Sequence, residues 1–146
     1  MDRLTADGIS WTPSRRVFLR RVAFSAALTF LGLVAVAMAF SVYFALPRTA
    51  IILGAGTLTL VFVIEDLMRW RSLRGDLWQI SDGQLIYDGP DGRAHIPLSE
   101  IVSAKVQFGT RVLIKLTSGQ RMLMRYLPYA KATAEQIEAA RGPRRP

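Results

Sequence analysis

The sequence predicts an α+β membrane protein, a transmembrane helical hairpin followed by a small antiparallel β domain that a carboxy-terminal helix closes. Three observations predict it. Two apolar runs, Val22 to Leu46 and Thr49 to Ile64, meet at Pro47-Arg48; at about 25 and 16 residues they bracket the roughly 20 that a helix needs to cross hydrocarbon. From Asp76 the hydrophobic period changes to two, with turn signals at short, regular spacing. After Pro128 the period is helical again. In a chain of 146 residues, 51% of them hydrophobic, this leaves room for one hairpin and one small domain. The expected divisions are an amino-terminal arm and basic helix start over 1–21, the hairpin over 22–68, a basic linker over 69–75, the β domain over 76–140 and a basic tail over 141–146.

Residues Met1 to Ser10 carry no hydrophobic period and read as a mobile or partner-ordered arm. Thr12-Pro13 reads as a helix start, Thr12 as cap and Pro13 at the first helical position, where a missing N–H costs nothing. Arg15, Arg16, Arg20 and Arg21 precede the first apolar run, which places the amino terminus on the cytoplasmic side. Trp11 suits the headgroup level, as do Trp70 and Trp78 where the chain leaves the membrane. A second reading stands beside this one. Ser14 to Arg20 resembles a twin-arginine export motif, with Ala37-Met38-Ala39 as a cleavage site. Against it, the apolar run continues unbroken to Leu46 and a second run follows at once.

Only Pro47, Arg48 and Thr49 separate the two runs, so the helices are expected to be antiparallel neighbours. Arg48 is the one charge at the far turn, against the four arginines before the first run and Arg69, Arg71 and Arg74 after the second. This asymmetry predicts a multi-pass protein of the bacterial inner membrane with both termini cytoplasmic. Small residues four apart, Ala35 with Ala39 and Ala50 with Gly54, predict close helix approach; Gly32 and Gly56 add small positions for contact with other membrane subunits. Glu65 falls one turn before Arg69, and an interfacial pair accounts for it better than an ion path.

In the β domain the expected strands are Leu77 to Ser81, Gln84 to Asp88, Arg93 to Leu98, Ile101 to Phe108, Thr110 to Leu116 and Gln120 to Leu127. Turns fall at Asp82-Gly83, Gly89 to Gly92, Gly109 and Ser118-Gly119. Tyr129 to Ala140 forms the closing helix, with Ala130, Ala134, Ile137 and Ala140 near one face. Several of these residues carry a resemblance: Trp78 to Leu85, Ile96 to Ile101, Val112 to Leu116, Ser118-Gly119 and the helix with Ile137. Together they resemble the bacterial pleckstrin-homology-like (PH-like) domains, in particular small membrane proteins that place such a domain after two spans. The resemblance implies a bent antiparallel sheet or barrel closed by a helix, with six strands read here against the usual seven. It implies binding or assembly rather than catalysis. By analogy with an assembly protein that joins an anchor to PH-like domains, respiratory and photosynthetic complexes are the expected hosts.

The last hairpin is expected to turn through Thr117-Ser118-Gly119, facing Ile114 with Met122 and Val112 with Met124 on the core side. The other face then pairs Lys115 with Arg121 and Arg111 with Arg125 around Leu113 and Leu123. Like charges placed opposite one another suit an anionic or acidic partner, although long cations splaying into water explain the pattern as well. With no cysteine and His95 as the only histidine, metal, thiolate and Ser-His-Asp chemistry lack their residues. No phosphate-binding glycine loop or calcium loop is present. The net charge of +8 flanks the membrane runs, and topology explains it without nucleic acid. The expectation is a non-enzymatic accessory or assembly subunit, without cofactor or metal, whose partners are an integral membrane complex and anionic phospholipids. An anionic-lipid-binding surface module is the second reading, and the exported protein the third.

Overall fold

The computed structural model describes residues 8–142, and it places a strand before the hairpin. The elements are β1 (Ile9–Trp11), α1 (Arg15–Phe44), α2 (Arg48–Leu73), β2 (Leu77–Ser81), β3 (Gln84–Gly89), β4 (Gly92–Pro97), a 3-10 turn (Leu98–Glu100), β5 (Ile101–Gln107), β6 (Arg111–Leu116), β7 (Arg121–Met124) and α3 (Ala130–Arg141). They form two compact units. One is Phe18–Arg71; the other joins the residues up to Val17 with those from Ser72 onward.

The second unit is antiparallel β with one helix, in sheets ordered β1-β2-β3-β4 and β5-β6-β7. The six strands expected from sequence are present with ends shifted by up to three residues, and β1 makes a seventh. Asp82 and Gly83, with φ of 51° and 72°, link β2 to β3 in the two-residue turn whose twist suits a hairpin. The last strand stops at Met124 rather than Leu127, because Tyr126 adopts a φ of 58° and breaks the extended run.

β1 corrects the expected arm at Ile9 and Ser10; residues 1–7 of that arm, like 143–146 of the expected tail, lie outside the described residues. Ile9, Ser10 and Trp11 pair with Ile80, Gln79 and Trp78. A side chain at Gly8 would bring its Cβ within 2.7 Å of the Ile80 carbonyl oxygen, so glycine lets the chain approach this edge. The helix start is corrected too. Thr12 to Ser14 are non-helical and α1 begins at Arg15, since the Ser14 N–H donates to the Tyr126 carbonyl at 2.8 Å and holds the link against the β unit.

The core of the β unit gathers alternate residues of both sheets with one face of α3. Leu85, Val112, Ile114, Met124, Leu127 and Ile137 are its most deeply buried members. The period of two in β6 buries Val112, Ile114 and Leu116 and turns Leu113 and Lys115 outward. α3 is clamped on β5 by Glu138, which accepts the Ala104 N–H at 2.6 Å and pairs with Arg141 at 2.9 Å. Arg141 donates in turn to the carbonyls of Ile101 and Val102, where the β5–β6 register slips.

In the hairpin unit, α1 and α2 are long and apolar enough to cross a membrane. Among its described residues Phe18, Val22, Ile51 and Ala55 are buried, and Phe18 stacks on Trp70 with ring centroids 4.5 Å apart. Ser41 and Thr59 return their hydroxyls to the Met38 and Ala55 carbonyls at 2.7 and 2.8 Å, so neither exposes an unpaired donor. The close approach expected through Ala35, Ala39, Ala50 and Gly54 is not found. All four are exposed, and beyond the neighbouring residues and the helix's own nearby backbone no atom lies within 4 Å of a Cβ built on Gly32, Gly54 or Gly56. The covered positions are instead Phe18 and Val22 on α1 and Ile51 and Ala55 on α2.

Candidate interaction surface

The outer face of the β5–β7 sheet follows from strand alternation. Register places Ser103, Lys115 and Arg121 in one row, and Lys105, Leu113 and Leu123 in the next. Arg111 stands opposite Gln107 in a third row, and Arg125 follows directly after β7. The Ile114–Met122 and Val112–Met124 pairs lie on the core side, as the three-residue turn with Gly119 at φ 83° requires. The expected opposition of Arg111 and Arg125 lies beyond the end of the ladder, whereas Lys115 does face Arg121. Lys105 joins the patch unforeseen, because its place depends on the β5 register and its bulge. These rows and the residue after β7 hold five cations, Lys105, Arg111, Lys115, Arg121 and Arg125, and two leucines.

The charge of Arg125 also reaches Asp76, which precedes β2 of the other sheet. The Tyr87 hydroxyl donates to Asp76 at 3.1 Å, which fastens the residue just before β2 to β3. Burial is the main cause raising the Asp76 carboxyl above its ordinary value, and the Tyr87 hydrogen bond and the Arg125 charge partly oppose it. Burial and the Asp76 charge push the Tyr87 hydroxyl up to about 12. A side chain on Gly89 would collide with the Tyr87 ring, so glycine there leaves room for this contact. Tyr87 also packs on Trp78, with centroids 4.6 Å apart.

The tryptophans separate by environment. Trp78, expected as an interface anchor, is 5% exposed and belongs to the core, because its position in β2 points inward beside Leu85 and Tyr87. Trp11 stands in β1, packs on the same core and donates its indole N–H to Gln136 at 3.2 Å. Trp70 lies on α2 against Phe18. The arginines Arg15, Arg16, Arg20 and Arg21 are exposed in the first two turns of α1. Arg69, Arg71 and Arg74 are exposed at the end of α2 and just beyond it, and Arg69 bonds Glu65 at 3.1 Å.

A groove of about 670 Å³ runs between β1 with its exit link and the start of α3, lined by no charged side chain. His95 is exposed on β4, and the described residues hold no cluster of three or more metal-ligating side chains. Sequence reasoning also missed Phe108, 85% exposed at the β5–β6 turn with the Arg111 guanidinium 5.7 Å from its ring centre. The legible signal was a large aromatic beside a turn glycine. Comparison with protein-family models, curated proteins and solved structures finds nothing similar to this chain.

Proposed function

We propose that this chain is an integral membrane protein that serves as a non-enzymatic accessory or assembly subunit of a larger membrane complex. In this reading α1 and α2 anchor it in a bacterial inner membrane and the β unit, a PH-like domain, docks in the cytoplasm. The observation that carries the reading is the pairing of β1 with β2 across the hairpin. Two strands of one sheet fold in one aqueous compartment, so the chain between them crosses the membrane an even number of times. That agrees with the arginine asymmetry, which puts this compartment inside. Sheets of four and three strands with a closing helix support the PH-like assignment.

Docking is supported by surfaces left uncovered. The sheet face carries Lys105, Lys115 and Arg121 in adjoining rows, and the glycines of the hairpin lie open. Respiratory and photosynthetic assemblies are the proposed hosts. Extraction in mild detergent followed by identification of co-purifying proteins tests the proposal, and a stoichiometric membrane partner is expected. A lone protein that retains anionic lipid would instead support the lipid-surface reading, which the same cations favour. The exported reading conflicts with β1, since cleavage after Ala39 removes a strand whose Trp11 packs on the core. Amino-terminal sequencing that began at Phe40 would restore it.

A further inference from the structure

Phe108 is placed where folding alone does not favour it. It is 85% exposed, and it takes a φ of 50° next to Gly109 at 69°. A bulky side chain at positive φ is strained, and an exposed ring leaves apolar surface in water, so neither feature stabilises the fold. Glycine or asparagine would serve the turn better.

The turn also lies at a particular end of the β unit. The Leu127 N–H donates to the Thr110 carbonyl at 2.9 Å, and the neighbouring Tyr126 carbonyl accepts the Ser14 N–H at 2.8 Å. Ser14 is the residue before α1. On the other link, Leu77, the residue after Asp76, lines one groove with Ser14 and Leu127. Phe108 to Thr110 therefore sits at the end of the β unit from which both connections to the helices leave. Arg111 closes the turn opposite Gln107, Arg125 follows the partner of Val112, and Lys105 lies two rungs along β5. The Thr117–Gly119 turn lies at the opposite end of β6.

We propose that the β5–β6 turn is a second membrane contact, in which Phe108 enters the headgroup layer of an anionic bilayer while the exposed Lys105 and Arg125 meet lipid phosphates. It rests on the reading that α1 and α2 span that bilayer. Aromatic rings favour the interface, and each cation near an anionic surface adds attraction. The short links Thr12–Ser14 and Arg74–Asp76 keep the domain tethered beside the membrane, so a weak contact suffices.

The natural chain has no cysteine, so a single introduced one carries a fluorescent label specifically. The full chain is labelled at Gln107→Cys, Ser118→Cys or Leu31→Cys and reconstituted in vesicles of phosphatidylcholine with phosphatidylglycerol. Nitroxide lipid quenchers are placed at the headgroup or in the acyl chain. Headgroup quenching is expected to be several-fold stronger at 107 than at 118. It should fall to the level of 118 when Phe108→Ser is added, and weaken in phosphatidylcholine alone. Equal quenching at 107 and 118 overturns the proposal and leaves the turn to a protein partner, and quenching indifferent to Phe108→Ser overturns it as well. If the label at 31 escapes the acyl quencher, the spanning reading falls and takes the proposal with it. If only 107 escapes quenching, the spanning reading stands alone.

Discussion

In the hairpin unit, Val42 is 82% exposed and Leu53 70%, whereas in the β unit Leu85, Val112, Ile114 and Ile137 are fully enclosed. The two regions are both rich in aliphatic residues, yet one arranges them around a shared centre and the other along two rods facing outward. The difference teaches that hydrophobicity measures what a segment avoids, while periodicity shows whether its own protein supplies the shelter. A period of two put one face of each strand inside. The hairpin runs are apolar on all sides, and no single partner helix can cover them.

The largest expected effect sharpens this contrast. Leu85→Ala removes a side chain with no exposed surface and is expected to destabilise the β unit by about 2–5 kcal/mol. Leu53→Ala, on an exposed helix face, is expected to change it by less than about 0.5 kcal/mol. Denaturant titration of the full chain in detergent, followed by β-sheet circular dichroism, measures both. Equal losses would break the contrast.

Trp11 precedes the hairpin in sequence and belongs to the β unit by contact. Trp11→Ala is expected to cost the β unit about 1–3 kcal/mol, through the lost packing and the hydrogen bond to Gln136. Membrane retention is expected to be unchanged. A headgroup anchor would give the reverse, a stable β unit with weaker retention, and fractionation beside the denaturant titration separates the outcomes.

Trp11 also shows why part of the fold was legible and part was not. Asp82-Gly83 and Ser118-Gly119 announced their hairpins, and alternation from Leu77 onward placed most strands within a residue or two, because local turn chemistry and pleat direction are written locally. β1 was hidden because three residues cannot display a period, and its partner Gln79 lies some seventy positions on, beyond both helices. Trp78 was misread for a related reason. Its neighbourhood in sequence is the arginine-rich exit, but its neighbourhood in space is Leu85 and Tyr87. On the outer face of β5 to β7, Lys115 and Arg121 followed from one tight turn, whereas Lys105 required a register interrupted by a bulge. The small-residue spacing in the helices suggested close packing, but four-residue spacing cannot say which stripe faces the partner.

The Asp76–Tyr87 contact offers a subtler test within the β unit. Tyr87 is raised from 10.0 to about 12, so its protonated form is the one the fold favours. The stabilisation is complete below pH 10, where folded and unfolded chains both hold the proton. It is lost as pH rises toward 12, because the unfolded chain releases its proton first. Thermal unfolding of the full chain is expected to show a downward slope across that window, and Tyr87→Phe is expected to flatten it. A slope unchanged by the substitution would show that other groups cause it.

The smallest effect is expected at Glu65 and Arg69, 3.1 Å apart with side chains 63% and 57% exposed. One turn separates them on α2, so the helix itself holds the pair in register and little is lost by ordering it. Water and salt screen the attraction at such exposure, and Glu65→Gln is expected to change stability by less than about 0.5 kcal/mol in detergent. Because the effect is small in an exposed pair, its size reports the surroundings. A loss well beyond this in reconstituted bilayers would mean that the pair is desolvated there, which a neighbouring subunit packed on this turn of α2 would cause. A loss equally small in both media would keep the pair at the wet edge of the membrane and end any role for Glu65 in an ion path.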